Sequence, residues 1–163
     1  MNDQLAIAEF SGFTLVHVAT RNNPEDFAKQ LSTALDFEIT ARPGPVAHGP
    51  GELRALWFGP GRWLIHAPEP GWALDDVPGG AATDLSDSRR IFRWQGGGAL
   101  RRLEQSCPLD LRESSAPAGT SALTQFDRFA ILLYRIGTNE FDLYVDRSYG
   151  ESMPGSEFIV QGP

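Results

Sequence analysis

Two residue types are almost missing from this sequence, and each scarcity excludes something. Cys107 is the only cysteine in 163 residues, so no disulfide can form within the chain. That usage fits a reducing cytosol. Lys29 is the only lysine, and the arginines are scattered along a chain of formal charge −7. Nucleic-acid backbones and anionic lipid headgroups are bound by clustered Lys and Arg, so neither nucleic acid nor a membrane surface is expected as a partner. Long apolar runs are also lacking, and none approaches the ~20 residues that span a bilayer. The first residues, "MNDQLAIAEF", have neither the basic start nor the apolar core of a signal peptide. The expectation is a cytoplasmic chain.

What is present is ordinary for a globular protein: 41% hydrophobic and 21% charged residues. At this length folding hides roughly 70% of the unfolded surface, so stability requires neither metal nor disulfide. Residues 1–11 read as a flexible N-terminal arm, 12–149 as a single domain, and 150–163 as a short C-terminal tail. "FTLVHVAT" (Phe13–Thr20) is rich in β-branched and aromatic residues and reads as a strand. In "NNPEDFAKQLSTALDF", Asn23 caps, Pro24 takes the first helical position, and Glu25 and Asp26 suit the positive end of the helix dipole. Phe27, Leu31, Ala34 and Leu35 then define one apolar face.

"ARPGPVAHGPG" (Ala41–Gly51) reads as a loop. Strands near 53–58 and 62–67 flank Gly59-Pro60-Gly61 as a hairpin. "GWALDDVPGG" has room for one helical turn. "ATDLSD" and "RIFRWQ" read as short strands, and "GGGALRRLEQSC" places Ala99, Leu100, Leu103 and Cys107 at helical spacing. "SALTQF", "FAILLYRI" and "EFDLYV" are three further strands, the middle one apolar on both faces and hence central. The order predicts an α+β fold of two ferredoxin-like halves with antiparallel sheets.

Residues with catalytic potential do not gather into a motif. Cys107 falls on the apolar face at a helix C-terminus, directly before Pro108, where the dipole opposes a thiolate. A buried structural role is the simpler reading. His17, His48 and His66 lack metal-ligand spacing. "GGGALRR" lacks the spacing of a phosphate loop and reads as a strand-to-helix turn. The carboxylate pairs Asp84/Asp87, Asp75/Asp76 and Asp142/Asp146 have no evident acid–base partner. Asp84 and Asp87 suit turn formation, or pairing with Arg89 and Arg90. Trp57, Trp63 and Trp94 lie on expected strands, two of them beside Arg, a combination equally at home in a core and at a protein interface.

Four stretches together carry a resemblance. "ALWFGPGRWLIHAP", "TDLSDSRRIFRWQGGGALRRLEQSCPLDL", "ALTQFDRFAILLYRI" and "FDLYVDRSY" resemble, in the same order, the γ subunit of heterotetrameric sarcosine oxidases. The likeness runs from about Leu53 to Tyr149, with "DLSDSR" and "CPLDL" its most specific parts. It implies a fold like the N-terminal part of the glycine-cleavage T-protein. It implies α, β and δ partner subunits, with FAD, FMN, NAD, the tetrahydrofolate site and zinc held in those partners and no cofactor in this chain. It implies oxidative demethylation of sarcosine to glycine, with the one-carbon unit passed to tetrahydrofolate and hydrogen peroxide formed. Where the family continues with a C-terminal helix, this chain has "RSYGESMPGSEF", which leaves sheet surface for a partner to cover.

On this reading Asp84, Ser86, Asp87, Arg89, Trp94, Cys107, Pro108, Asp110 and Arg147 form a structural and interface signature, with no catalytic residue and no metal ligand among them. The alternative is a stand-alone module that binds folate, another pterin or another small molecule. A hydrolase built on Cys107 or Ser86 is the weakest reading, because no His lies near either in sequence.

Overall fold

The protein is described from a computed structural model, which covers residues 4–150 and 152, together with the backbone of 159–161. In chain order its elements are β1 (Ala6–Glu9), β2 (Thr14–Thr20), α1 (Pro24–Leu35), β3 (Gly44–Pro45), β4 (Ala47–His48), β5 (Arg54–Gly59), β6 (Arg62–Ala67), β7 (Gly80–Asp84), β8 (Arg89–Gln95), α2 (Gly97–Ser106), β9 (Thr120–Phe126), β10 (Phe129–Gly137), β11 (Glu140–Asp146) and β12 (Ile159–Gln161). The chain divides into two compact units, Gly12–Ser86 and a second made of Met1–Ser11 with Asp87–Pro163.

In the Gly12–Ser86 unit an antiparallel sheet of order β4-β5-β6-β2-β7 packs against α1. The helix begins where the sequence signals it. Asn23 accepts a hydrogen bond from Asp26 N at 3.1 Å, and Pro24 occupies the first turn. It stops at Asp36, which takes a left-handed conformation. Phe27, Ala28, Leu31 and Leu35 are buried against Val16, Val18, Trp63 and Ile65. The Trp63 indole donates to Thr40 O at 2.9 Å, so the polar edge of the ring is satisfied inside the core. The β5–β6 hairpin turns at Gly61, whose positive φ of 66° suits glycine and where an added Cβ would stand 3.1 Å from Thr20 O.

In the second unit the strands run β12-β1-β8-β11-β10-β9. All neighbours are antiparallel except β1 and β12. α2 closes one face, placing Ala99 and Leu103 on Phe92, Trp94, Phe126, Phe141 and Leu143. Strand β10 lies inside the sheet between β9 and β11, and its run Ile131–Arg135 is buried. The turn into α2 is tight at Gly96, where a Cβ would collide with the Gln4 carbonyl.

Several expectations are corrected. Residues 6–9 of the expected arm are strand β1, with Ile7 buried in the core and Ala6–Glu9 paired to β8. Part of the expected tail is likewise β12, paired in parallel with β1, while residues 151, 153–158, 162 and 163 lie outside the described residues. Within the stretch expected as one domain of two halves, the chain parts after Ser86 into two compact units, each with its own core. The Ala41–Gly51 loop contains β3 and β4. No helical turn forms in Gly71–Gly80, where Val77 alone is buried. Leu103, 0% exposed, anchors α2. Leu103→Ala should cost about 2–5 kcal/mol in urea unfolding with the slope unchanged, by the usual cost of a core cavity.

Candidate functional site

The signature residues begin at the end of β7. Asp84 Oδ1 accepts from Ser86 N at 2.8 Å, which closes a two-residue turn. Side-chain and then backbone hydrogen bonds from Ser86 hold the Asp84 carboxyl below its ordinary range. Ser86 Oγ also accepts from Leu15 N at 2.9 Å. The hydroxyl thus ties the turn to the start of β2, a structural use of a group considered above as a nucleophile.

Beyond the turn, pairing of β8 with β11 brings together residues almost 60 positions apart. Asp146 is the register partner of Arg89, and the two form an ion pair at 2.9 Å. The same carboxylate caps the turn Arg147–Tyr149, accepting from Ser148 N at 3.0 Å and Ser148 Oγ at 2.6 Å. These bonds from Ser148, more than Arg89, lower the Asp146 pKa. Arg147 reaches back to donate to Asp87 O at 2.6 Å. Of the two roles weighed for Asp84, the turn is the one that forms, and Arg89 and Arg90 bind other carboxylates. Arg89 goes to Asp146, and Arg90 binds Glu9 of β1 through Nε and Nη2 at 2.6 and 2.7 Å. Strand register decides this, since adjacent residues on one strand point to opposite faces.

Trp94 is 2% exposed and stands edge-to-face with Phe126, ring centres 5.3 Å apart. It is core rather than surface. Arg93 beside it makes a two-pronged bond to Asp142 at 2.8 and 2.9 Å, with the carboxylate fully buried. Asp142 and Asp146, weighed as a carboxylate pair, thus serve different arginines. Cys107 ends α2, its N–H donating to Leu103 O at 2.8 Å and its buried Sγ lying 3.5 Å from Thr124 Oγ1. Pro108 follows, exposed. Asp110 organises the next loop. It accepts from Arg112 Nε and Nη2 at 2.9 and 2.6 Å and from Ser115 Oγ at 2.7 Å, and the Arg112 bonds hold its carboxyl far below the carboxylate range.

One residue of this region was missed. Arg135, within the apolar run of β10, is 3% exposed. Its guanidinium donates to the carbonyls of Leu111, Ala116, Gly137 and Thr138 at 2.7–3.1 Å, and pairs with Glu113 at 3.0 Å. It thereby satisfies the loop that follows Cys107. The signal was an arginine inside "FAILLYRI", where a buried cation must find partners. Leu109, Leu111, Ala116 and Leu133 line a small cavity beside it. Of the histidines, His66 is buried edge-to-face with Phe13, and His48 has its pKa lowered by burial and by Arg54. Among the described residues no His, Cys, Asp and Glu side chains cluster as a metal site. No helix among them is long and apolar enough to cross a membrane.

Of the signature, Asp87, Arg89 and Arg147 are joined through the turn that Asp146 caps, whereas Trp94, Cys107 and Asp110 each bond elsewhere in the same unit. The fold that holds them has known counterparts. No family model matches the chain. The structure superposes with TM-score 0.79 on a chain of the heterotetrameric sarcosine oxidase from Corynebacterium sp. U-96, covering 98% of this chain and 87% of that one at 24% identity. It superposes with TM-score 0.57 on glycine cleavage system aminomethyltransferase T from Bartonella henselae, covering 96% of this chain and 47% of that protein at 14% identity. The fold class is thus α+β of the aminomethyltransferase T kind.

Sequence narrows this further. The chain is 28% identical over 127 residues to the sarcosine oxidase subunit gamma of Corynebacterium sp. (strain U-96), and 31% identical over 114 residues to that of an Arthrobacter species. The chain is similar to sarcosine oxidase γ subunits, which bears out the resemblance expected from its sequence. The matches span 74% and 66% of this chain but only 62% and 56% of those relatives, less than two thirds of their length.

Two outcomes are expected. Arg135→Met leaves four carbonyls without their donor, that of buried Leu111 among them, and should cost about 1–3 kcal/mol in denaturant unfolding, with Arg135→Lys recovering only part. Asp146 has a lowered folded pKa, so its contribution is present above the unfolded value near 4 and fades as pH falls. The Tm of Asp146→Asn should therefore lie below the parent's at neutral pH and converge on it below about pH 4.

Proposed function

We propose that this chain is a non-catalytic γ-like subunit of a sarcosine oxidase-type complex. On this reading the complex demethylates sarcosine oxidatively to glycine and passes the one-carbon unit to tetrahydrofolate. FAD, FMN, NAD, tetrahydrofolate and zinc belong to α, β and δ partners in the cytoplasm, and this chain supports their assembly. The likeness to γ subunits, in sequence and across almost the whole fold, is the observation that carries the reading. The local chemistry agrees with it. Ser86, Asp110, Asp142 and Asp146 each spend their polar atoms on backbone, hydroxyl or guanidinium groups of the same chain. Cys107 sits buried at the C-terminal end of α2, its Sγ beside Thr124 Oγ1.

The test is affinity purification of the tagged chain from its own cells, with mass spectrometry and an absorbance spectrum of what accompanies it. Sarcosine oxidase α, β and δ polypeptides in fixed ratio, with a flavin spectrum, are expected. A colourless chain that emerges alone overturns the subunit reading. Saturable binding of tetrahydrofolate by that lone chain would establish the binding module instead.

A further inference from the structure

The Gly12–Ser86 unit ends in an open strand. β7 pairs with β2 on one side, and among the described residues no strand pairs with its other side. All five of its residues are exposed. Leu85 N donates to Leu15 O at 2.8 Å, which makes Leu15 and Leu85 a hydrogen-bonded pair. In an antiparallel ladder such pairs alternate, so Thr83 and Ala81 also turn their backbone groups toward β2. Ala82 and Asp84 then present N–H and C=O outward.

Natural sheet edges are commonly guarded by Lys, Pro or a bulge, because an open edge templates another strand. β7 reads Gly-Ala-Ala-Thr-Asp and pairs with β2 without a register shift. It has none of those guards, and its small side chains leave the backbone accessible. Charge adds direction. From Trp63 to Ser86 there is no Lys or Arg, whereas Glu69, Asp75, Asp76 and Asp84 are all exposed. The basic residue of the neighbouring β6, Arg62, is level with Ala81, two strands away and toward the end opposite Asp84.

We propose that β7 is a docking edge for an extended Lys- or Arg-bearing segment of another polypeptide, added as a further strand against Ala82 and Asp84. Main-chain bonds supply the affinity, and the flanking carboxylates select a basic segment. A second copy of β7 suits the site poorly, because it carries an acid and no base to answer Asp84 and the carboxylates around it. The inference stands on the edge itself and not on the subunit reading, so either can fail alone.

The full chain, isotope-labelled, is titrated with an acetylated peptide of about eight residues alternating Lys and Val, the length of an ordinary strand. In the free chain the Ala82 and Asp84 amides exchange faster than that of Thr83, and the peptide protects them. Ala82→Pro removes one outward donor at a position where an edge tolerates proline, and weakens binding about tenfold. If the spectrum of that variant departs from the parent's, Ala82→Lys, which repels the cationic peptide, takes its place. A Glu/Val peptide of the same length does not bind. The proposal is overturned if Ala82 and Asp84 gain no protection, if the Glu/Val peptide binds equally, or if protection rises with chain concentration alone.

Discussion

Much of the second unit depends on the register of β8 against β11. Arg89 faces Asp146, Arg93 faces Asp142, and Gln95 faces Glu140, all at alternate positions and hence on one face of the sheet. A slip by one residue would bury the arginines among Phe92, Trp94 and Leu143 and expose those apolar side chains. Burying Asp142 completely is costly in itself, and a paired buried charge is weak support for stability. Its value here lies in exclusion. Only one pairing of these strands gives that carboxylate its guanidinium, and the same pairing sets β1 beside β8 and the Arg147 turn beside Asp87.

The polar residues that suggested chemistry therefore belong largely to the architecture. Asp84 and Ser86 close a turn, Asp146 caps another, and Asp110 folds the loop after α2 around Arg112 and Ser115. Arg135 finishes that loop from within the sheet by donating to its carbonyls. A stretch dense in Asp, Ser and Arg looks like an active site because the same groups that stabilise transition states also satisfy backbone at turns. The distinction lies in whether their bonding capacity remains available.

Local chemistry made much of the fold legible. Asn23-Pro24 announced α1, its apolar period named Phe27, Leu31 and Leu35 of the buried face while Ala28 rather than Ala34 completes it, and Gly59-Pro60-Gly61 marked the hairpin. β1 was not legible because Ala-Ile-Ala-Glu has only Ile7 to bury, and the strand exists through its neighbours. Ion partners were illegible for a related reason. Arg89, Arg90 and Arg93 choose carboxylates 57, 81 and 49 positions away, and only the completed sheet specifies which. Trp94 beside an arginine suited a core and an interface equally until the packing of α2 was known.

The solitary thiol at the end of α2 has a practical consequence. Cys107 is 7% exposed and sits where the helix meets the loop held by Arg135. A bulky thiol reagent can reach it only when that corner opens. With one sulfhydryl in the chain, the labelling rate becomes a single-site clock for local opening, readable without an engineered probe. A slow clock would place this corner within the cooperatively folded part of the molecule; a fast one would identify it as a region that loosens before the sheet beneath it.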